Sequence, residues 1–393
     1  MNKVSVILPL FSDKDPFLDV IISINNQIIK PIEIIIIDSS NNTNIQNLIK
    51  DFDCDINILY HWVPKAYPGH ARNIGSKLAK GEFLAFIDSK TIPKSNWISD
   101  YLEEIMQNNL DFKIGLTEFT GVNFMQKIIN AATYGKLCFF TIPGSIFKKF
   151  FFINSGGFIK HLRSGEDQHY LRQIGFFEAS KFSSSGYLIY KHLPDNLFAI
   201  FKKYFIYSFY TSVSNIQILT KNTYLILFLM FSSLIFTSFK QLLPYIYTNL
   251  LLSYKVLLSS LFFIILYNFI PIIYNEIKNK LAFIKIVLIV VLFTFSIIIY
   301  NWNMFFANWI ETKASYIPHI TKYYIIFLLL IYIIFRGIIL PLNKKVELKF
   351  IFPLNWIRIG LITFFIDIIK SPAYIVGAII FPYIQIYYYY LIN

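Results

Sequence analysis

Polar residues able to take part in chemistry stand directly behind short apolar runs in the first half of the chain. One run ends in Asp38-Ser39-Ser40 and another ends in Asp88-Ser89-Lys90. A carboxylate at such a place can accept hydrogen bonds from N–H or hydroxyl groups of a ligand. Arg72 adds a guanidinium whose planar set of donors suits a phosphate or a carboxylate. These residue types are suited to a ligand that carries hydroxyl and phosphate groups.

The elements that carry these residues follow from the pattern of apolar positions. Short apolar runs bounded by Pro, Asp or Ser are typical of buried parallel strands, and they occur at Val4–Leu10, Ile32–Ile37 and Phe83–Ile87. Helical spacing occurs between them, at Asp15–Ile29 and Ala71–Ala79. This alternation predicts a doubly wound α/β sheet. Ligands of such sheets bind beyond the carboxyl ends of the strands, where Asp38 and Asp88 lie.

The second half of the chain is much more apolar than the first. Hydrophobic residues make up 55% of the chain and charged residues only 15%, whereas roughly a quarter of a soluble domain is charged. Stretches close to the roughly 20 apolar residues of a spanning helix occur at Thr223–Phe239, Val256–Tyr274, Ile286–Trp302 and Tyr323–Leu340. Ile375–Ile392 is a fifth span, or a re-entrant or interfacial segment. We therefore predict a domain over residues 1–205, a connector over 206–222 that lies at the membrane surface, and about four transmembrane helices within 223–393.

The formal net charge of +13 is better explained by lysines that flank the predicted spans than by nucleic-acid binding. The N-terminal half has no basic patch with interleaved aromatic residues. Lysines within residues 278–285 and 344–349 fall on the same side of the membrane as the N-terminal domain, which the positive-inside rule assigns to the cytoplasm. Cys54 and Cys138 have neither metal-ligand spacing nor a disulfide framework. These patterns predict an integral protein of the inner or plasma membrane without a nucleic-acid partner.

Some ionisable residues lie in or beside the apolar stretches. Arg336, Arg358 and Asp367 either contact a lipid phosphate or lie at the interface as snorkelling or loop residues. Lys202 and Lys203 precede an aromatic run that is compatible with a connector on the membrane surface, although its helical periodicity is poor.

Four segments of the first half, taken in order, resemble the family 2 glycosyltransferases, which have the GT-A fold. The resemblance covers roughly residues 3–205. The segments are Val4-Ser5-Val6-Ile7-Leu8-Pro9 with Glu33 to Ser40, Gly69-His70-Ala71-Arg72-Asn73-Ile74-Gly75, Phe83-Leu84-Ala85-Phe86-Ile87-Asp88-Ser89-Lys90, and Gly156-Gly157-Phe158 with Gly165-Glu166-Asp167. The resemblance implies a domain that binds a nucleotide sugar.

The same resemblance implies a donor site at the predicted strand ends. In the family, an acid that ends the second strand helps to hold the nucleotide, and this role falls on Asp38, with Ser39 in place of a second acid. The family's Arg-Asn pair lies on a helix beside the nucleotide. The implied donor-binding residues are Pro9, Asp38, Arg72, Asn73, Asp88, Ser89 and Lys90. Two alternatives stay open, a polar strand end at Asp38 that caps the next helix and an exposed helix-start arginine at Arg72.

Lys90 is where this chain departs from the family. Its segment falls where the family carries an Asp-x-Asp motif, whose final acid binds a divalent ion, Mg2+ or Mn2+, that bridges the two phosphates of the donor. A protonated lysine cannot ligate a metal ion. Either Lys90 supplies the positive charge itself and the enzyme is metal-independent, or Asp88 holds a weaker metal, or catalysis has been lost. We favour the first interpretation; a lysine that simply points to solvent fits the other two.

The last segment implies the catalytic base. In similar enzymes a Glu-Asp pair takes the proton of the acceptor hydroxyl as its oxygen attacks the anomeric carbon. Asp167 is the predicted base and Glu166 the second choice, and the residues predicted on the acceptor side are Gly156, Gly157 and Arg172. The simpler interpretation is an acid pair at a helix N-terminus, where the helix dipole favours negative charge.

These patterns together predict a membrane-anchored, inverting glycosyltransferase of the hexosyltransferase type, of the kind that builds cell envelope polysaccharide. It would move one sugar from a nucleotide-sugar donor to a lipid-linked or glycan acceptor at the cytoplasmic face of a membrane. The Gln-x-x-Arg-Trp signature of processive relatives does not follow Asp167, which favours transfer of a single sugar. The rivals are a non-catalytic relative that only binds a nucleotide sugar, suggested by Lys90, and a transporter, for which neither repeats nor paired broken helices occur.

Overall fold

The computed structural model describes residues 3–12, 15–40, 44–176, 186–212 and 320–392, together with Tyr224, Leu227 and Phe228. The predicted spans Val256–Tyr274 and Ile286–Trp302 lie outside the described residues, as does Thr223–Phe239 apart from those three positions.

The N-terminal half is built on a mixed sheet, in which the described residues form eight strands. These are β1 (Val4–Leu10), β2 (Glu33–Asp38), β3 (Asn57–Trp62), β4 (Phe83–Phe86), β5 (Thr91–Pro93), β6 (Phe112–Phe119), β7 (Cys138–Lys148) and β8 (Leu188–Tyr190). Their order across the sheet is β3-β2-β1-β4-β7-β6-β8-β5. Strands β3, β2, β1 and β4 run parallel, whereas β7 is antiparallel to both β4 and β6. The predicted α/β fold with a doubly wound mixed sheet is confirmed.

Helices cover both faces of the parallel strands. Those of this half are α1 (Phe17–Asn25), α2 (Asn44–Lys50), α3 (Pro68–Leu78), α4 (Trp97–Gln107), α5 (Phe124–Thr133), α6 (Lys149–Asn154), α7 (Glu166–Gln173) and α8 (Leu197–Thr211). Val6 and Leu8 of β1 share a core cluster with α1 and α4, whereas Ile7 packs with α3 on the opposite face. Because side chains alternate between faces, a strand covered on both sides must be apolar throughout.

The parallel register brings the carboxyl ends of three strands to one edge of the sheet. Leu10 of β1 pairs with Asp38 of β2, and Ile7 of β1 pairs with Phe86 of β4. The three predicted strands correspond to β1, β2 and β4, and the two predicted helices overlap α1 and α3. Asp38 and Asp88 therefore follow strands that end on the same side, as the sequence predicts.

The C-terminal part of the described chain is helical. It contains α9 (Ile320–Ile334), a π-helical turn (Phe335–Ile339), α10 (Leu340–Asn343), α11 (Leu348–Ile351) and α12 (Asn355–Ile392). Within the described residues, the stretches Ile326–Asn343 and Asn355–Gly377 are long and apolar enough to cross a membrane, judged by length and composition alone. The first contains most of the predicted span Tyr323–Leu340. The second begins well before the predicted span Ile375–Ile392. The sequence pattern predicts a later start because charged residues interrupt the apolar pattern in the first part of α12.

Ionisable side chains join the two apolar stretches. Asp367 of α12 pairs with Arg336 of the π-helical turn and accepts a hydrogen bond from the Tyr332 hydroxyl. The ammonium of Lys370 lies 3.2 Å from the other oxygen of Asp367. We call these four residues the Asp367 cluster. Charges inside apolar helices are costly unless paired, so Arg336 and Asp367 are accommodated by pairing with each other rather than by snorkelling.

The C-terminal helices pack against the N-terminal domain. Ile351 and Ile359 share a buried cluster with Ile128 of α5. Ile366 of α12 shares another with Ile200 of α8. Helix α8 continues through residue 205, so the predicted domain boundary falls inside a helix that contacts both parts of the chain.

Candidate active site

One buried guanidinium gathers three carboxylates at the carboxyl edge of the sheet. Arg72 on α3 donates hydrogen bonds to Asp88 Oδ1 at 2.8 Å and to Asp167 Oδ1 at 2.8 Å, and its Nη1 lies 3.4 Å from Glu166 Oε1. We call these four residues the Arg72 cluster. The alternative of an exposed helix-start arginine is wrong, since the Arg72 side chain is only 2% exposed. Of its two predicted partners, phosphate or a strand-end carboxylate, the structure shows the carboxylate.

Helix α3 positions Arg72 by packing closely on β1. A Cβ atom at Gly75 would lie 2.6 Å from Ile7 Cγ2, so only glycine lets the helix approach the strand this closely. Pro68 occupies the first turn of α3, where its missing N–H costs no helical hydrogen bond. Arg72, one turn further on, is thereby held at the edge where β4 ends.

The charges of the Arg72 cluster do not balance, since one cation faces three acids. Burial opposes the charge of Arg72, but the carboxylates of Asp167, Asp88 and Glu166 outweigh it and raise the pKa of the guanidinium. Burial, followed by the charge of Asp167, raises the pKa of Glu166 to about 8. Glu166 therefore holds a proton at neutral pH, which relieves the repulsion between the two adjacent acids. Burial raises the pKa of Asp167 as well, although the charge of Arg72 opposes this, and Asp167, 30% exposed, is the acid of the pair that reaches solvent.

A glycine-rich loop is fastened beside the cluster by Asn73. The Asn73 amide donates to the Phe158 carbonyl at 2.7 Å, and the Phe158 N–H donates to Asn73 Oδ1 at 2.9 Å. Gly157 has a φ of +68°, and a Cβ atom there would lie 2.6 Å from Asn73 Oδ1. The Phe158 ring lies 5.4 Å from Arg72 Cζ. Asn73 thus positions the predicted acceptor-side loop, whereas the sequence assigned its amide to the donor.

Asp38 lies at the same edge of the sheet but has internal partners. Its side chain is fully buried and accepts hydrogen bonds from Ser40 N at 2.7 Å, Ser40 Oγ at 3.0 Å and Tyr60 OH at 2.7 Å. These partners lie at the strand end and on β3, and none of them belongs to the next helix, α2. Pro9 lies within β1, paired with Ile37, and its predicted donor contact stays a prediction.

Asp15, which sequence reasoning missed, is the partner of the two polar residues behind Asp88. Lys90 Nζ lies 2.9 Å from Asp15 Oδ1, and Ser89 Oγ donates to Asp15 Oδ2 at 2.8 Å. Asp15 follows the carboxyl end of β1, so the rule that selected Asp38 and Asp88 would have found it too. Lys90 therefore lies within the site, although its charge is shared with an acid.

The residues near Asp88 do not fit the divalent ion that the family resemblance implies. Asp88 Oδ1 is taken by Arg72, and the next position that would supply an acid carries the ammonium of Lys90. In the described part of the chain, no group of three His, Cys, Asp or Glu side chains is arranged to hold a metal ion. A metal at Asp88 would lie between two cations, which would repel it.

Helix α8 borders the cluster. The Ser164 hydroxyl lies 3.3 Å from the Tyr207 carbonyl, and the hydroxyls of Tyr67 and Tyr210 lie 3.1 Å apart. Loss of hydration, followed by the negative charges of the three acids of the Arg72 cluster, raises the pKa of Tyr207 to about 12. The ammonium of Lys203, one turn earlier, lies 5.7 Å from the Tyr207 ring, which is 47% exposed, and the location of this segment at a membrane surface stays a prediction.

The remaining predicted acceptor residues surround the cluster more loosely. Gly156 precedes Gly157 in the loop and has a φ of +86°, a conformation that favours glycine. Arg172 lies on the exposed last turn of α7, five residues after Asp167 in the chain. The structure does not bring Arg172 into the Arg72 cluster.

Residues 5–161 match the model of a family described as glycosyl transferase family 2. This stretch of the chain is therefore similar to the family 2 glycosyltransferases. An uncharacterized glycosyltransferase of Rickettsia bellii is 33% identical over 110 residues, which are 28% of this chain and 16% of that protein. The UDP-Glc:alpha-D-GlcNAc-diphosphoundecaprenol beta-1,3-glucosyltransferase WfgD of Escherichia coli is 30% identical over 142 residues, 34% of this chain and 54% of that protein. The matches thus span at most 54% of the length of these two relatives.

Among solved structures, S. aureus TarS 1-349 in complex with UDP-GlcNAc aligns with a TM-score of 0.39 and 20% identity, over 55% of this chain and 67% of that one.

Proposed function

We propose that this chain is an inverting, non-processive glycosyltransferase that moves one sugar from a nucleotide-sugar donor to a lipid-linked or glycan acceptor. The observation that carries the proposal is the 2.8 Å bond between Arg72 and Asp167 at the sheet edge, where Asp88 meets the same guanidinium. A base must be held in a fixed orientation near the attacking hydroxyl. Asp167 meets this requirement while staying partly exposed.

In the proposed reaction, the acceptor hydroxyl oxygen attacks the anomeric carbon and its proton goes to Asp167. The bond between that carbon and the diphosphate breaks, and the nucleoside diphosphate leaves. Attack from the side opposite the leaving group inverts the anomeric centre. Glu166 already carries a proton, because burial raises its pKa to about 8, and so it does not compete for the acceptor proton at neutral pH.

A lipid-linked acceptor and a membrane anchor are supported by the C-terminal helices. Two apolar stretches are long enough to span a bilayer, and the second belongs to α12, which packs on α5 and α8 of the catalytic domain. Anchoring raises the effective concentration of an acceptor held in the same membrane. WfgD, by its name, uses a diphosphoundecaprenol-linked acceptor and a UDP-sugar donor. We extend both features to this chain and assign its catalytic domain to the cytoplasmic face.

The test is transfer by the purified full chain in detergent, with a lipid extract and a panel of nucleotide sugars. We expect one donor to give a product heavier by a single sugar, with an anomeric configuration, read by NMR, opposite to that of the donor. Asp167→Asn should lower the rate by about 10³-fold, the usual size of a general-base effect. Asp53→Asn, which alters an exposed acid remote in sequence from the site, is the matched control.

Three results would count against parts of this proposal. Nucleotide binding without transfer from any donor would favour the non-catalytic alternative. A retained anomeric configuration would remove the inverting mechanism. An Asp167→Asn variant as active as Asp53→Asn would remove Asp167 as the base.

A further inference from the structure

Lys203 is a cation beside the candidate active site without an acidic partner. In the part of the chain that the structure describes, its ammonium lies 5.4 Å from the Tyr190 ring and 5.7 Å from the Tyr207 ring, and it pairs with no carboxylate. Burial, followed by the positive charge of Lys90, lowers the pKa of Lys203 to about 8. A cation without a counter-ion in a partly dehydrated place is suited to receive an anion.

The sheet brings Lys203 and Lys90 to the same place. Tyr190 of β8 is the register partner of Thr91 in β5, and Lys90 directly precedes Thr91. The Tyr190 ring, which Lys203 contacts, therefore belongs to the strand next to Lys90. Lys90 also lines a cavity of about 340 Å³ with residues of α1 and with Lys191 and His192, so its side chain is accessible from that side; Lys203 does not line this cavity.

Helix α8 connects the positively charged site formed by Lys90 and Lys203 with the acids of the Arg72 cluster. Tyr207 follows Lys203 by four residues, so both project from one face of the helix. The Tyr207 carbonyl lies 3.3 Å from the hydroxyl of Ser164, two residues before Glu166, so this part of α8 lies near the Arg72 cluster. Lys203 thus lies on the helix face that borders both Lys90 and the proposed base.

We propose that Lys90 and Lys203 together bind the diphosphate of the donor and take the place of the divalent ion that family resemblance implies. This inference rests on the proposed function. Of the two ammonium groups, that of Lys90 pairs with a described carboxylate, Asp15, whereas that of Lys203 has none, so the charge of Lys203 is open to a diphosphate. A lysine ammonium is a compact point charge with three donors, which suits phosphate oxygens.

The same two lysines stabilise the leaving group. The acceptor oxygen forms its bond to the anomeric carbon with its own electron pair, and its proton goes to Asp167. The bond from that carbon to the diphosphate oxygen breaks with its electron pair on the oxygen. The negative charge that develops on the diphosphate is met by Lys90 and Lys203, so no metal ion is needed for the balance.

The test measures binding of UDP, GDP, ADP and dTDP to the full chain in detergent by calorimetry, after metal ions are removed with EDTA. We expect one of these diphosphates to bind without metal. Lys203→Gln and Lys90→Gln should each weaken its binding by about tenfold or more, because each removes a charge-assisted contact. Lys203→Arg keeps the charge and should retain most of the affinity.

Lys202→Gln is the matched control, since Lys202 is the exposed neighbour on the same helix. The affinity of this variant for the diphosphate should stay within about twofold of that of the unmodified chain. Binding that requires added Mg2+ or Mn2+ would overturn the inference while leaving the glycosyltransferase proposal intact. Metal-free binding that Lys203→Gln does not weaken would remove Lys203 from the site. No binding of any diphosphate, with or without metal, would overturn the inference and count against the proposed function as well.

Discussion

The Arg72 cluster and the Asp367 cluster are each built around one charge, but their compositions are opposite. The first has one cation among three acids, and the second has one acid between two cations. Two acids of the first reach solvent, Asp88 with 42% and Asp167 with 30% of the side chain exposed. The central acid of the second, Asp367, is only 2% exposed.

This difference separates chemistry from assembly. An excess of acids around one guanidinium leaves a carboxylate that can take a proton and that solvent or substrate can reach. An acid enclosed by two cations and a tyrosine hydroxyl is already saturated, and its contacts join α12 to the π-helical turn that follows α9. We therefore expect substitutions in the Arg72 cluster to change both rate and stability, and substitutions in the Asp367 cluster to change stability alone.

The largest effect is expected from Arg72→Met. Removing the guanidinium leaves three acids close together without a cation, and breaking such a buried pair usually costs about 3–5 kcal/mol. Thermal and urea unfolding in detergent would measure this loss, and transfer should be abolished. Arg72→Lys restores the positive charge but lacks the planar guanidinium that binds two carboxylates. Its stability and transfer rate should therefore lie between those of Arg72→Met and of the unmodified chain. An Arg72→Met variant that unfolds like the unmodified chain would show that the cluster does not stabilise the domain.

A smaller effect is expected from Asp367→Asn. This change leaves Arg336 and Lys370 without a counter-ion, but both cations are partly exposed, so we expect a loss of about 1–3 kcal/mol. The unfolding midpoint should fall while the rate of donor hydrolysis by the folded protein stays unchanged. Arg358→Gln is the control on the same helix, because Arg358 is exposed. A large fall in the hydrolysis rate of folded Asp367→Asn would break the proposed division between the clusters.

The third prediction concerns the loop that the Arg72 cluster needs in place. In Gly157→Ala the new Cβ atom would press on Asn73 Oδ1, and a positive φ already disfavours alanine, so we expect a loss of about 1–3 kcal/mol. Displacing Phe158 from Arg72 should also lower the transfer rate by about tenfold or more. Gly175→Ala shares the positive φ, at +72°, but has no atom within 4 Å of the new Cβ. Equal rates for the two variants would show that the Asn73 contact does not matter for catalysis.

The sequence predicts the parts of this fold and site that depend on local pattern. The continuous apolar runs of β1, β2 and β4 are enough to identify them, and the acids that follow them lie at one edge, as parallel strands require. Short strands such as β5 and β8, with three residues each, carry no pattern that sequence alone can separate from a loop. The site of Lys203 depends on how α8 packs, which its poor helical periodicity does not reveal.

Partners within the site are the other part that the sequence does not predict. Asn73, Asp38 and Asp15 are polar residues at expected places, yet their hydrogen bonds go to the Phe158 backbone, to Ser40 and Tyr60, and to Ser89. Apart from Ser40, which is two residues from Asp38, each partner comes from a different loop or strand, so the choice follows from tertiary packing. The same reason explains why the predicted span in α12 starts too late. Asp367 interrupts the apolar pattern, and its pairing with Arg336 cannot be inferred from the sequence.

The smallest and most specific effect is expected from Glu166→Gln. The pKa of Glu166 is about 8 in the folded chain and close to 4.5 when the chain is unfolded, so the folded state binds the proton more tightly between these values. The contribution of protonated Glu166 to the stability of the folded chain is complete below pH 4.5 and is lost as the pH rises through 8. Glutamine cannot ionise, so the variant should lack this loss.

We therefore expect the free energy of unfolding of the unmodified chain to fall relative to that of Glu166→Gln as the pH rises from about 5 to 9. The expected difference is roughly 1–3 kcal/mol. One pKa unit corresponds to about 1.4 kcal/mol, and the difference is reduced because the two acids share protons. Glu103→Gln on α4, an exposed acid, is the control. At neutral pH, Glu166→Gln should keep most of the transfer rate, because a neutral amide replaces a neutral acid. If Glu166→Gln loses as much activity as Asp167→Asn, then Glu166 is the base and the proposed roles of Glu166 and Asp167 are exchanged.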